Sequence, residues 1–251
     1  YCAWKYTHKG GFYWAGSYAS GDYLVFGSDD GSTEGNYTNT SILYSVSTST
    51  GMMLDKLTGL KGDIRTSVSY NNGYVYFATK GGYLYRVKMN PDGTFGQVLS
   101  YDLGGMATAT PLVYKGRIYI GVCGHGGQFN PDGGHHFDVL QESDSALSLA
   151  YSVPIAGYPQ AAPLLSTAYE GVDYNKDGKA DGRVCVYFTA NAYPGGIYML
   201  TDSPGQTEGN IEEIFTPDTA QQQYSISTLC VDRDGTIYYK NDSNYLMAIE
   251  T

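Results

Sequence analysis

The stretch Thr66–Leu103 constrains this chain more than any other. It reads TSVSYNNGYVYFATKGGYLYRVKMNPDGTFGQVLSYDL and holds four short β-branched or tyrosine-rich runs: Ser67–Tyr70, Tyr74–Thr79, Tyr83–Lys88 and Gln97–Asp102. Asn71-Asn72-Gly73 and Lys80-Gly81-Gly82 separate the first three. Asn and Gly tolerate positive φ, so both connections suit tight hairpins. Asn90-Pro91-Asp92-Gly93 is a turn by composition, with Pro presetting φ and Gly accepting the left-handed residue. Four strands joined by hairpins over so short a span form an antiparallel β-meander.

The rest of the chain reads as copies of this unit. A first copy has strands near Gly16–Ala19, Tyr23–Gly27, Ile42–Val46 and Met52–Leu57, with a polar insert at Ser28–Thr40. A third copy begins at Thr108–Tyr114 and continues through Arg117–Val122, Phe137–Leu140 and Leu147–Val153. In the fourth, Gln160–Leu165 mirrors Ala109–Leu112. Arg183–Thr189 follows after a long insertion, then Gly196–Leu200 and Ile211–Phe215. A fifth holds Ser225–Val231, Thr236–Lys240 and Tyr245–Ile249 and lacks one strand. Ala3–Tyr6 reads as an orphan outer strand. Pairing it with the fifth copy closes a ring and removes the exposed edges. The expected fold class is therefore all-β: a single domain over 1–251, a β-propeller of five four-stranded antiparallel blades, with the N-terminal strand closing the last blade.

Composition agrees with that expectation. The chain has 251 residues, of which 33 are Gly and 26 are Tyr, and long helix-forming runs are missing, which favours short strands and tight turns. Net charge is −10 with no Lys/Arg run to track phosphates, so a nucleic-acid partner is not expected. No apolar run approaches a membrane-spanning length of about 18 residues. Cys2, Cys123, Cys185 and Cys230 are scattered without a C-x-x-C pair, and Cys185 and Cys230 sit within strand-like runs, where they are expected as small buried apolar side chains.

The pattern G-x-[VIL]-Y-[FIV] followed by G-x-[LI]-Y-x-[VIL] resembles the pyrroloquinoline-quinone-type (PQQ-like) β-propeller repeat. Gly73–Phe77 with Gly82–Val87 carries it best. Arg117–Ile120, Gly196–Leu200 and Gly235–Tyr239 repeat it. Gly59–Arg65 and Tyr238–Asp242 resemble propeller modules of large surface proteins from Gram-positive gut bacteria. That likeness implies an extracellular or cell-surface location and a binding or adhesion role as a monomeric domain within a larger protein. It does not carry the quinone. Quinone dehydrogenases hold PQQ with a vicinal cysteine pair, a tryptophan floor and a carboxylate-bound calcium. Here no cysteines are adjacent, and the only tryptophans are Trp4 and Trp14, so no PQQ is expected.

Asp173-Tyr174-Asn175-Lys176-Asp177-Gly178-Lys179-Ala180-Asp181 matches D-x-N-x-D-G-x-x-D. Hard oxygens of Asp173, Asn175 and Asp177 suit one cation when the chain wraps around it. Gly178 makes the turn, the Lys179 carbonyl adds a ligand, and Asp181 takes the ninth position. The twelfth is Val184 rather than the glutamate of an EF-hand. The loop thus resembles FG-GAP and dockerin calcium loops, and a structural calcium is expected. His125, His135, His136 and Asp138 are a second metal possibility, weakened because neighbours on an extended segment point to opposite faces.

No G-x-S-x-G occurs, and His8 has no serine neighbour in sequence, so an enzyme is the less favoured reading. Propellers present a central mouth ringed by the residues preceding each innermost strand. Aligning the copies puts Phe12 and Trp14, Asp63 and Arg65, Met106 and Thr108, Tyr158 and Gln160, and Gln223 and Ser225 at equivalent places. Rings beside Arg, Asp and Gln suit a glycan or a peptide. Alternatives are a glycan hydrolase acting at the same mouth and a structural scaffold.

Overall fold

Five antiparallel sheets follow one another along the chain in a computed structural model that describes residues 1–31, 38–124 and 133–250. The first has β1 (Tyr18–Ala19), β2 (Tyr23–Gly27), β3 (Leu43–Ser47) and β4 (Met53–Leu57). The second has β5 (Ser69–Asn71), β6 (Tyr74–Ala78), β7 (Tyr83–Met89) and β8 (Phe95–Asp102). The third has β9 (Leu112–Tyr114), β10 (Arg117–Val122), β11 (His136–Glu142) and β12 (Leu147–Pro154). The fourth has β13 (Leu164–Ser166), β14 (Val184–Phe188), β15 (Ile197–Asp202) and β16 (Ile211–Phe215). The fifth has three strands: β17 (Cys230–Val231), β18 (Ile237–Lys240) and β19 (Leu246–Ile249). Each sheet is a meander whose strands pair in chain order.

The hairpins follow their turn residues. Asn72 and Gly73 both have positive φ (46° and 86°), as do Lys115 and Gly116 (46° and 80°), the pair of left-handed residues that matches strand twist in two-residue loops. In all four complete sheets the ladder between the third and fourth strands carries a register shift, which adds local twist.

The sheets stack face to face, and alternation decides which side chain meets which neighbour. Val25 and Leu43 of the first sheet pack with Val75, Phe77 and Val87 of the second. Tyr76 and Leu84, on the opposite face of the second, pack with Ile118, Ile120 and Leu140 of the third. Phe137 and Val139 meet Val186 and Phe188 of the fourth. Ile197 meets Leu229, Ile237 and Tyr239 of the fifth. Among the described residues, no buried cluster joins the fifth sheet to the first.

The strand expected at Ala3–Tyr6 to close the last blade does not form. Residues 1–8 form no strand and lie on the first blade instead of the last. The Trp4 indole donates to the Thr48 carbonyl at 3.1 Å. Tyr6 packs against Phe26 and Tyr44, each at a centroid distance of 5.7 Å. Aromatic burial against this ready-made face outweighs one more β ladder at a distant edge. Among the described residues, no helix is long and apolar enough to cross a membrane.

Candidate functional site

The innermost strands are shorter than the sequence runs that encode them, because the residues leading into each strand turn to a shared cavity. This cavity of about 340 Å³ takes side chains from all five blades. Trp14 comes from the first. Arg65 and Ser67 come from the second, Thr108 and Thr110 from the third, Gln160 and Ala162 from the fourth, and Ile226 and Thr228 from the fifth. Of the residues aligned from sequence, Trp14, Arg65, Thr108 and Gln160 are brought together here. Ser67, Thr110, Ala162, Ile226 and Thr228 line it without being picked out by the alignment. Ser67, Thr110 and Ala162 each follow an aligned position by two residues, and the period-two alternation of extended chain is the signal that finds them.

Trp14 is the most exposed group of the rim, at 72%, and its backbone is left-handed with φ 54°. A bulky residue seldom adopts that conformation without surrounding constraint. The constraint is a three-residue turn in which the Ala15 amide donates to the Tyr13 carbonyl. Arg65 lies beneath, with its guanidinium carbon 4.8 Å from the Trp14 ring centroid and 5.1 Å from that of Tyr13. Its Nε and Nη2 donate to Asp29 Oδ2 at 2.9 and 2.7 Å, and Asp29 is only 2% exposed. The cation is therefore fixed in place, and the rings above it are held by cation–π contact.

Asp63 supports the rim from below instead of lining it. It is buried, accepts the Asp30 amide at 2.8 Å, and lies 3.8 Å from Arg65 Nη2. Burial raises its carboxyl to about 6, reinforced by Asp29 and Asp30 and opposed by the Asp30 amide and Arg65. Burial likewise raises the Asp29 carboxyl, against the pull of Arg65. A raised carboxyl costs stability once ionised, so stability falls as pH climbs from about 4 to 6 and the deficit persists above. Asp63→Asn keeps the acceptor for Asp30. It is expected to be more stable than wild type at pH 7 by about 1–3 kcal/mol, with the gap fading from pH 6 to 4. Urea melts of both proteins at pH 4 and pH 7 check this; equal midpoints at pH 7 would contradict it.

The other aligned residues take structural positions. Phe12 packs on Phe26 at 5.6 Å, away from the cavity. Tyr158 is buried, and its hydroxyl accepts the Thr108 amide at 2.7 Å, tying the third blade's entry segment to the fourth's. Met106 is buried and bridges to Cys123. Ser225 is buried and donates to the Lys240 carbonyl at 3.0 Å. The Gln223 amide donates to the Pro194 carbonyl at 3.0 Å. A fixed cation, an exposed indole, hydroxyls and one amide face the cavity, and both carboxylates nearest the mouth are engaged with Arg65 or backbone.

The loop 173–181 is exposed and folded on itself. Asp173 accepts the amides of Asp177 (3.2 Å) and Gly178 (2.8 Å), Asp177 accepts that of Lys179 (2.9 Å), and Asp181 accepts the Tyr174 amide (2.6 Å) and the Asn175 side chain (2.9 Å). Among the described residues, no three His, Cys, Asp or Glu side chains are grouped as a metal site. His135 is buried and stacks on Tyr158, whereas His136 turns to the Gly134 carbonyl and Asp138; His125 lies outside the described residues.

No family model matches the chain, and no curated protein matches it in sequence. Solved structures do match. BamB from Moraxella catarrhalis aligns at a TM-score of 0.51 and 12% identity, over 87% of this chain and 57% of that one. The Dos1 propeller aligns at 0.56 and 11%, over 90% of this chain and 52% of that one. The chain thus spans about half the length of these neighbours. At such identities the likeness speaks to architecture alone, and with five successive antiparallel meanders it identifies the fold as a β-propeller.

Proposed function

We propose that this chain is a non-catalytic binding module of an extracellular or cell-surface protein, seating a glycan or a peptide at its central mouth. The observation that supports the reading is Trp14: an exposed indole held in a left-handed backbone above an arginine fixed by a buried carboxylate. Such a platform offers a flat apolar face beside directional donors, and its order is in place before any ligand arrives, which lowers the entropy cost of binding. Thr108, Thr110 and Gln160 add hydroxyls and an amide around it. The test is binding of the isolated chain to glycan and peptide arrays. At least one class is expected to bind wild type, with the signal lost in Trp14→Ala and reduced in Arg65→Ala. Array binding that both variants retain would place recognition elsewhere.

A structural calcium at the 173–181 loop is the second part of the proposal. The donor set, Asp173, Asn175, Asp177 and Asp181 with the Lys179 carbonyl, is all hard oxygen. Three carboxylates held in one loop repel one another, and a cation relieves that. Binding to the folded form alone adds roughly 2.7 kcal/mol at a hundredfold excess over Kd. Chelation is expected to lower the melting temperature of wild type but not of Asp177→Ala. If both proteins melt alike in calcium and in chelator, the loop is an ordinary acidic turn.

A further inference from the structure

Each blade carries one residue opposite the first residue of its innermost strand. These residues are Val25, Tyr76, Tyr119, Tyr187 and Tyr238. Val25, Tyr76 and Tyr119 point to the following blade and meet one partner position there, at the end of that blade's third strand. The Tyr76 hydroxyl donates to Glu142 Oε2 at 2.7 Å, and the Tyr119 hydroxyl donates to Asp202 Oδ2 at 2.7 Å. Where the first blade has Val25 instead of tyrosine, the partner position holds Met89, and the two share an apolar cluster. At these three interfaces the chemistry is matched, phenol with carboxylate and aliphatic with thioether, whereas Tyr187 packs on the fifth-blade cluster and interacts with Cys185 of its own strand.

Tyr238 holds this position in the fifth blade, and among the described residues no other blade packs on it. Tyr76 and Tyr119 are each 1% exposed; Tyr238 is 37% exposed, and its hydroxyl turns back to Asp232 of its own hairpin at 2.9 Å. Leu246 repeats the contrast. It occupies the place of Leu84, paired across the same two strands, yet Leu84 is 0% and Leu246 72% exposed. Cys230, opposite Tyr238, is exposed on this face as well. We propose that this face seats a further four-stranded blade of the same polypeptide, with an Asp or Glu at the end of its third strand receiving the Tyr238 hydroxyl. A second copy of the chain fits poorly. Its first blade has Thr48 at the partner position, and its outward face is already taken by Tyr6 and Phe12. Solved propellers with room for more blades exist, since the aligned part makes up 57% of BamB and 52% of the Dos1 chain.

Cys230 reports on the face. In a Cys2→Ser background, its alkylation rate is measured for the chain as it stands and for the chain extended after Thr251 by a second copy of residues 104–154. That blade already stacks on Tyr76 through Glu142. The extension is expected to slow alkylation of Cys230 roughly tenfold or more, as exposure governs thiol reactivity. Glu142→Gln in the appended copy alone, or Tyr238→Phe, is expected to return part of the rate. An extended chain in which Cys230 reacts as fast as before overturns the inference. So does an unextended chain that sediments as a dimer with Cys230 protected, because a second copy is then the occupant.

Discussion

Asp202→Ala should lower the stability of this protein more than any other single change at a blade interface. Asp202 is buried and accepts four side-chain hydrogen bonds: from Arg117 Nε and Nη2 at 3.1 and 3.0 Å, and from the hydroxyls of Tyr119 and Tyr151, each at 2.7 Å. Burial and the Asp202 charge together hold both phenols far above the ordinary tyrosine range. Alanine leaves a buried guanidinium without its counter-charge and two phenols without an acceptor. Breaking one side of a buried ion pair costs about 3–5 kcal/mol, which in a domain of this size is a fall of roughly 10 °C in Tm. Asp202→Asn keeps an acceptor and should fall between. Denaturant melts measure this. A near-wild-type midpoint for Asp202→Ala would mean that Arg117 finds another partner and that the third and fourth blades do not depend on this pin.

Gly121→Ala tests the join between the stack and the mouth. A Cβ at Gly121 would stand 2.1 Å from the Pro159 carbonyl oxygen and 2.5 Å from its ring. The obstacle is backbone and a cyclic side chain, neither of which swings aside. The expected loss is about 1–3 kcal/mol, as for overpacked sites. It comes with weaker ligand capture, because Pro159 precedes the rim residue Gln160. Gly21 is the control. A Cβ there meets nothing within 4 Å and its φ is not positive, so Gly21→Ala should melt close to wild type. Equal melting of the two variants would remove the close approach as a determinant of the fold.

The meanders were legible because their signals are local. Asn-Gly and Lys-Gly hairpins, the Asn90–Gly93 turn and the alternation of Tyr, Val and Ile need only neighbouring residues. The N-terminal segment was not legible in the same way. Ala3–Tyr6 has strand composition, and only tertiary packing on Phe26 and Tyr44 decides that it covers a face. The mouth was half legible. Trp14, Arg65, Thr108 and Gln160 follow from their place before an innermost strand. Phe12, Asp63, Met106, Tyr158, Gln223 and Ser225 share that place but take other roles, since alternation turns some entry residues toward the sheet. The phenol–carboxylate pins join residues dozens of positions apart, such as Tyr119 and Asp202, and depend on the register of two blades. A tyrosine recurring at one position in four blades was their visible trace.

The mouth as a ligand seat is tested most directly by the fluorescence of Trp14 itself. The chain has two tryptophans, so Trp4→Phe leaves Trp14 as the sole indole emitter. Titrating this protein with the strongest array ligand should change Trp14 emission saturably, at the same Kd that calorimetry gives for wild type. A ligand that binds by calorimetry yet leaves Trp14 emission flat, and binds Trp14→Ala with unchanged Kd, would contradict the account.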